Sequence, residues 1–543
     1  MGNYVETLLR RDGPCLSSML AEKLVSEYKL SHDAARKRVS RGCAGLKRLA
    51  YLIFPKRVRF LYLEQDFGSP YYWKALEDAL EKSNSCYGMA YFSIKARDGI
   101  IPETHFTSAC GSPIKQQNHI AAKTVMDNML RAKLIEKKDI RGIGSCLVLS
   151  KLCRDNSEYL FNEGVSYLYA RSFVEDSILL PSIKKWLQHN GLASYGKVSL
   201  RENGVFPKVS TFEWDLTAPS YLRILSTWDE KKQTIKPGFV TCDILLNDVD
   251  ERGIKPFLKK CESLASLKNN TNVLNIVLIS GYSLSALQLA RSSGLIMLVT
   301  PESIFGHNVA KGIDVLIKTI AELKQNHIDA EKIDIVFKSF EGLKGVYGNI
   351  RGALFELLCA DVIRRNIRPD NIETNKEIKA NGDSAEIDIM VEIKDKSLCF
   401  IECKGYQPDS TISHEEIKTW LTVRIPRIRR WVLNDQRWNN NIKLVFELWI
   451  TCNLEDESVE MVEKMIESIK KYTIKIKKKE DIWKEAKDTG NHEIKKIFST
   501  YYTKNPLHEI EESIKPIRLE NKSQSRDLFI DSELFSDVDD IPF

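Results

Sequence analysis

No stretch of the 543-residue sequence reaches the ~18 consecutive apolar residues that a membrane-spanning helix needs. There is no CxxC pair either. The 12 cysteines run singly from Cys15 to Cys452, a scatter that fits neither zinc-finger nor redox spacing, so they read as reduced and mostly buried thiols. A Gly-Lys-Ser/Thr phosphate loop is missing, which leaves any ATPase motor to a partner subunit. The first six residues carry no apolar signal segment, and position six lacks the Ser or Thr of a myristoylation pattern. Neither sign of charge dominates: 80 Lys and Arg against 74 Asp and Glu leave +6. Hydrophobic residues at 43% and charged residues at 28% match globular averages and exclude wholesale disorder and fibrous repeats. The expectation is a soluble cytoplasmic protein of about three to five domains, at roughly 100–200 residues each.

What is present begins at the N-terminus. Leu16, Met19, Leu20, Leu24 and Val25 repeat at helical spacing and predict a helix over 16–28. Ser31 is a good cap for a second helix over 32–41, closed by Gly42 and Gly45. Two β-like runs follow, 49–54 and 58–63, around Pro55-Lys56-Arg57. Helix, turn, helix and basic hairpin is the order of a winged helix-turn-helix module. Between Ala34 and Leu63 stand Arg36, Lys37, Arg38, Arg41, Lys47, Arg48, Lys56, Arg57 and Arg59, with no acidic residue. Such a face suits a DNA phosphate backbone. Residues 86–150 repeat the plan less clearly: a strand at 91–94, a helix over 121–132, and runs at 134–137 and 146–149 flanking Arg141-Gly142-Ile143-Gly144 as a wing tip.

Two α/β units come next. The first, over 153–338, has expected strands at 211–216, 239–246, 275–279 and 296–299 with helices at 255–265 and 284–292. The second, over 339–510, has expected helices at 353–365, 415–432, 457–471 and 481–500. Its strands fall at 386–391, 398–403, 444–451 and 473–476. Residues 521–543 hold six acidic and two basic residues and read, within 511–543, as a disordered acidic tail.

The chemistry lies in the last unit. Glu386-Ile387-Asp388-Ile389-Met390-Val391 precedes Leu398-Cys399-Phe400-Ile401-Glu402-Cys403-Lys404-Gly405. Side chains alternate along a strand, so Glu386, Asp388 and Met390 share one face, while Glu402 and Lys404 share a face with Cys403 turned away. As a hairpin, the two strands bring Asp388 and Glu402 to one end of a sheet, with Lys404 one pleat beyond. Buried acids need a partner, and a hard divalent cation with carboxylates, a carbonyl and phosphate oxygens is one. The Cys403 carbonyl and Glu356, on the preceding helix, complete the candidate shell. Lys404 can orient an attacking water or stabilise charge on phosphate.

These residues resemble the PD-(D/E)xK nuclease superfamily, and within it the Mrr-type restriction endonucleases: Glu356 on the first helix, Asp388 on the first motif strand, and Glu402-Cys403-Lys404 as the ExK element. Ile387 departs from the proline of the family name. The resemblance covers roughly 340–505 and implies Mg²⁺-dependent hydrolysis of DNA phosphodiesters, with Mn²⁺ as a possible substitute. The fold class it implies is α/β multidomain: winged helix modules, a degenerate nuclease-like α/β domain, and a C-terminal restriction-endonuclease-like α/β domain. In the middle unit Asp215 stands where the family places its metal aspartate, but Val240-Thr241-Cys242-Asp243 brings no Glu-x-Lys. Arg424, Arg427, Arg429 and Arg430, with Trp420 and Trp431, can grip nucleic acid beside the site or pack in the core. His414 has no partner histidine nearby and reads as a loop residue. A homodimer is one way for a single site per chain to cut both strands. A nuclease for branched DNA or RNA, and a non-catalytic winged-helix DNA-binding regulator, are the rival readings.

Overall fold

The computed structural model describes residues 4–503 apart from 141, 151–157, 195, 231–232, 268–271, 326–327, 342, 381–382, 394–396, 436 and 439–441. The acidic tail and Arg141 therefore lie outside the described residues. Among those described, no helix is long and apolar enough to cross a membrane, and every cysteine is a free thiol. The chain is a mixed α/β protein of several sheets.

The first helices form where the periodicity put them, over Ser17–Tyr28 and His32–Arg41. Ser31 caps the second, its hydroxyl accepting from the Ala34 N–H at 3.3 Å. A helix over Tyr4–Asp12 and a two-residue strand, Cys15–Leu16, precede them. The hairpin differs from expectation. Its strands are Leu46–Arg48 and Phe60–Leu63, and residues 49–59 form the loop between them. Leu49, Leu52 and Phe54 are buried against the next unit, and the expected hairpin is reduced to one isolated bridge, Phe54 with Val58, and a Leu49 N–H bond to the Phe60 carbonyl.

That next unit follows the same path: helix Cys86–Lys95, strand Ile100–Pro102, helices Phe106–Ala109 and Ala122–Arg131, then strands Ile135–Ile140 and Gly144–Leu149. In both units the last strand lies between the other two. The strand expected at 91–94 is instead part of a helix. Tyr87 through Ile94 are all buried, so no polar face marks the helical period.

Each α/β unit holds a five-stranded sheet. In the middle unit the strand order is Ser199–Leu200, Leu216–Ser220, Gly238–Val249, Val273–Tyr282, Ile296–Val299. In the last unit it is Asn371–Ala380, Asp383–Ile393, Ser397–Lys404, Lys443–Ile450, Thr473–Lys477. The first two pairings of each sheet are antiparallel and the last two parallel. A helix precedes each sheet, and further helices join its third to its fourth strand and its fourth to its fifth. The two units thus share one topology. The run expected as a strand at 211–216 is broken: Phe212–Glu213 pairs with Lys208–Val209, and the sheet strand starts at Leu216. The helix expected over 481–500 is interrupted at Gly490 (φ +68°), after which Asn491 caps a new helix by accepting from the Glu493 and Ile494 N–H groups. One large core links the middle unit to the last: Ile313, Leu316 and Ile320 share it with Phe355, Ile389 and Ile401.

Candidate active site

Asp388 enters the site through strand register. Ile389 pairs with Ile401, and the same antiparallel register sets Asp388 opposite Glu402. Simple alternation does not survive at this point. Ile389 and Val391 pack in the core under the helix Lys344–Ile367, whereas Ile387 and Met390 share the core on the other face. The pleat therefore changes face about Asp388. Its neighbour on the edge strand, Asn375, adopts a left-handed φ of +52°, a strained conformation of the kind retained where a site needs it.

Asp388 is 9% exposed and Glu402 5%. The Cys403 N–H donates to Asp388 Oδ2 at 2.7 Å, so Cys403 meets the site through its main chain while its thiol is buried. Burial holds the Asp388 carboxyl well above the usual carboxylate range, and Glu402 and Glu356 push it further. Glu356 extends from the helix Lys344–Ile367 and accepts from Asn375 Nδ2 at 3.0 Å. Burial raises it to about 7, with the Asn375 bond opposing and Glu386 and Glu402 adding to the rise. Strand and helix come this close because residue 405 is glycine: a Cβ there would lie 2.5 Å from Phe355 Cβ. Arg351 Nε donates to the Gly405 carbonyl at 3.0 Å and ties the two elements together.

Lys404 lies one pleat beyond Glu402, its Nζ 3.0 Å from Glu402 Oε1. Burial pulls the ammonium down, but Glu402 and Asp388 outweigh it and hold Lys404 above its ordinary value. The same Glu402 oxygen also accepts from Arg424 Nη1. Arg424 ends a π-turn, Trp420–Arg424, inside the long helix after the motif strand; such turns frequently mark functional sites. Sequence reasoning placed Arg424 among phosphate-gripping arginines and missed this contact. Trp420 is buried in the core, and Trp431 stacks edge-on with Trp438. Trp420 thus follows the core-packing alternative, while Trp431 is half-buried. His414 starts the same helix, its Nδ1 3.2 Å from Ser458 Oγ.

A small cavity of about 220 Å³ opens beside Glu402, Lys404 and Arg424. A larger one of about 1070 Å³ is bordered by Asn375, Glu386 and Arg424 from the last unit, Tyr169 and Asp176 from the middle unit, and His105 from the second N-terminal unit. The middle unit reaches the site directly: Tyr169 Oη donates to Asn375 Oδ1 at 2.8 Å, which completes a chain from Tyr169 through Asn375 to Glu356. A side chain at Gly142 would come within 3.8 Å of the Thr374 carbonyl, so the second hairpin abuts the edge strand here.

The middle unit carries a parallel constellation. Leu216 pairs with Cys242, which sets Asp215 opposite Asp243. The Ile244 N–H donates to Asp215 Oδ2 at 2.7 Å, as Cys403 does to Asp388. Lys260, from the helix Glu251–Ala265, meets Asp243 Oδ2 at 2.5 Å. Arg201 holds Asp215 at 2.5 Å and Glu175 at 2.7 Å. The absent Glu-x-Lys is real, with Leu245 two residues past Asp243, but the second carboxylate and an ammonium are both there. Sequence reasoning missed both: Lys260 could have been found as a lysine on a helix face with Phe257, Cys261 and Leu264, whereas Arg201 left no signal.

Among the described residues no group of three Asp, Glu, His or Cys side chains stands arranged to hold a metal ion. Glu402 is turned to Lys404 and Arg424, Asp388 to Cys403 and Glu356 to Asn375. The donor chemistry, three carboxylates beside a main-chain carbonyl, nevertheless suits a hard cation. In the N-terminal unit Arg36, Lys37, Arg41, Lys56 and Arg57 are exposed. Arg38 instead lies over the Tyr4 ring at 4.9 Å, and Arg59, half-buried, donates to the Leu52 carbonyl at 3.4 Å. Compared with known proteins, the chain matches no family model, no curated protein and no solved structure.

Proposed function

We propose that this chain is a metal-dependent DNA endonuclease whose C-terminal unit is a PD-(D/E)xK core of the Mrr type. In this reading the two N-terminal three-stranded units are winged helices that bind duplex DNA. The observation that carries it is Asp388 beside Glu402, with Lys404 on the next pleat and Glu356 behind, where Glu402 and Lys404 line a small cavity of about 220 Å³. Asp388, Glu402, the Cys403 carbonyl and Glu356 would hold Mg²⁺, or Mn²⁺ in its place. When bound, the ion supplies Lewis acidity toward a phosphoryl oxygen. Lys404, kept protonated by its carboxylate neighbours, acts as a fixed cation that orients water and stabilises charge on the phosphate. Asn375 fixes Glu356, and the Cys403 N–H fixes Asp388. A role in restriction or anti-phage defence is carried by family analogy.

Purified protein incubated with plasmid and phage DNA, modified and unmodified, with Mg²⁺, Mn²⁺ or EDTA, tests the reading. Cleavage should need the metal. Asp388→Ala and Lys404→Ala should each lower it by about 10²–10³-fold or more while leaving DNA affinity largely intact; full activity in either removes the catalytic assignment. The non-catalytic regulator draws on one observation, that Glu402 already faces two cations, and it calls for DNA binding without cleavage in either metal.

A further inference from the structure

We infer that the middle unit is a second copy of the C-terminal core, facing the same cavity and shut by its own arginine and lysine, so that one chain breaks one strand of a duplex per binding event. This rests on the nuclease reading above.

The two units agree beyond strand order. Each sets two carboxylates opposite one another on its second and third strands, and each fixes the first by a 2.7 Å main-chain bond from the residue after the second. Each brings a further carboxylate from the preceding helix, Glu175 or Glu356. Each meets the third-strand carboxylate with a cation from the following helix, Lys260 or Arg424. Asp176 and His105, beside the middle cluster, border the same 1070 Å³ cavity as Asn375, Glu386 and Arg424.

The difference lies in what fills the clusters. Arg201 is 4% exposed and bonds Glu175, Asp176 and Asp215 together; Lys260 is 1% exposed and bonds Asp243. A guanidinium does not lose its proton and cannot be expelled without leaving buried carboxylates unpaired. A divalent cation therefore finds each buried carboxylate of the cluster already held by a cation, with only Asp176 reaching the cavity, and Leu245 stands where a lysine would orient water. In the C-terminal copy Arg424 is 38% exposed and can withdraw. The geometry leaves one working site per chain. Each event adds one water to one phosphodiester: a P–O bond to water forms, one P–O bond to sugar breaks, and the sugar oxygen leaves with a proton. The products are a phosphate monoester and a hydroxyl on one strand.

Two measurements on the full-length protein test this. With supercoiled plasmid, Mg²⁺ and limiting protein, nicked circles should accumulate to most of the DNA before linear product rises through independent second nicks. Linear product appearing in parallel with nicked circles, at a protein concentration where sedimentation shows a monomer, overturns the inference. Titration calorimetry with Mn²⁺ and no DNA should give one ion per chain, lost in Asp388→Asn and kept in Asp215→Asn. Two ions per chain, one lost in each variant, overturns it while leaving the nuclease reading standing. No cleavage, together with Mn²⁺ binding unaffected by Asp388→Asn, removes the nuclease reading and this inference with it. If Asp215→Asn fails to fold, Arg201→Met with Asp215→Asn removes one charge of each sign and answers the same question.

Discussion

In the middle unit Asp215 faces Asp243, and the cations that hold them, Arg201 and Lys260, are sealed inside the fold. In the last unit Asp388 faces Glu402, and the cations that reach them, Lys404 and Arg424, stand at the mouth of a cavity. The electrostatic result differs at the first aspartate of each pair, although burial raises Asp243, to about 6, and Glu175 in the middle cluster as well. Burial, the largest single influence, would raise Asp215, yet Arg201, His105, the Ile244 N–H and Lys260 together outweigh it and pull the carboxyl below its ordinary value. Asp388, equally sheltered, stays well above. One backbone framework therefore supports either a cluster sealed by buried cations or one whose cations reach a cavity, and the choice falls to a few side chains projected onto it.

The largest effect should come from breaking the closed cluster. Arg201→Met leaves Asp215 and Glu175 buried without their partner and should cost about 3–5 kcal/mol. Arg424→Met removes a partly exposed partner and should cost about 1 kcal/mol or less. Urea unfolding of both variants decides: equal losses would erase the contrast between the two units.

Next is the pH dependence of the open cluster. Glu356 sits at about 7 in the folded chain, against an ordinary value of 4.5. A carboxyl raised on folding contributes stability below its unfolded value and loses it as pH rises toward the folded one. Above about pH 7 the charged form is penalised in full, a cost of order 2–3 kcal/mol for a shift of this size. Glu356→Gln should therefore stabilise the metal-free protein at pH 8 by that order, and by little at pH 5. Asp215 runs the other way: its lowered value stabilises the fold above the ordinary aspartate range and is lost as acid titrates it. Unfolding at the two pH values in EDTA tests the sign, and an equal gain at both would detach Glu356 from the cluster.

Much of this was legible in the chain. Asp388, Glu402 and Lys404 stood out because acids inside apolar strand runs need a reason, and Ser31 marked its helix by capping chemistry. The edge strand Asn371–Ala380 was not legible. Its sequence, Asn-Ile-Glu-Thr-Asn-Lys-Glu-Ile-Lys-Ala, is charged as edge strands are and shows no alternation. Asn375 was hidden with it, since its importance lies in a left-handed backbone and two hydrogen bonds to residues far along the chain. Tyr169 and Arg201 were hidden for the same reason: their partners are set by how the units pack, and no local pattern records that. The helix Cys86–Lys95 and the loop over 49–59 misled because burial against a neighbouring unit imitates a strand's apolar run.

The two N-terminal units offer the finest comparison. They share a strand order, but the first leaves Arg36, Lys37, Arg41, Lys56 and Arg57 exposed, while the second turns its hairpin tip against Thr374 in the last sheet. In the proposed reading the first would be the electrostatic contact with duplex DNA, while the second abuts the last sheet through its hairpin tip. Within the first unit Arg38 is already engaged over Tyr4. Replacing Arg36, Lys37 and Arg41 together should weaken binding and lower the salt slope of log K by about 2 to 3, at roughly 0.9 per lost phosphate contact. Arg38→Ala should move that slope by less than about 1, because a guanidinium held on a ring releases few counterions. Fluorescence anisotropy on a duplex across a salt series measures both. A slope unchanged in the triple variant would move the DNA contact to another face, and an Arg38 effect as large as the triple one would mean that the ring contact gives way to phosphate on binding.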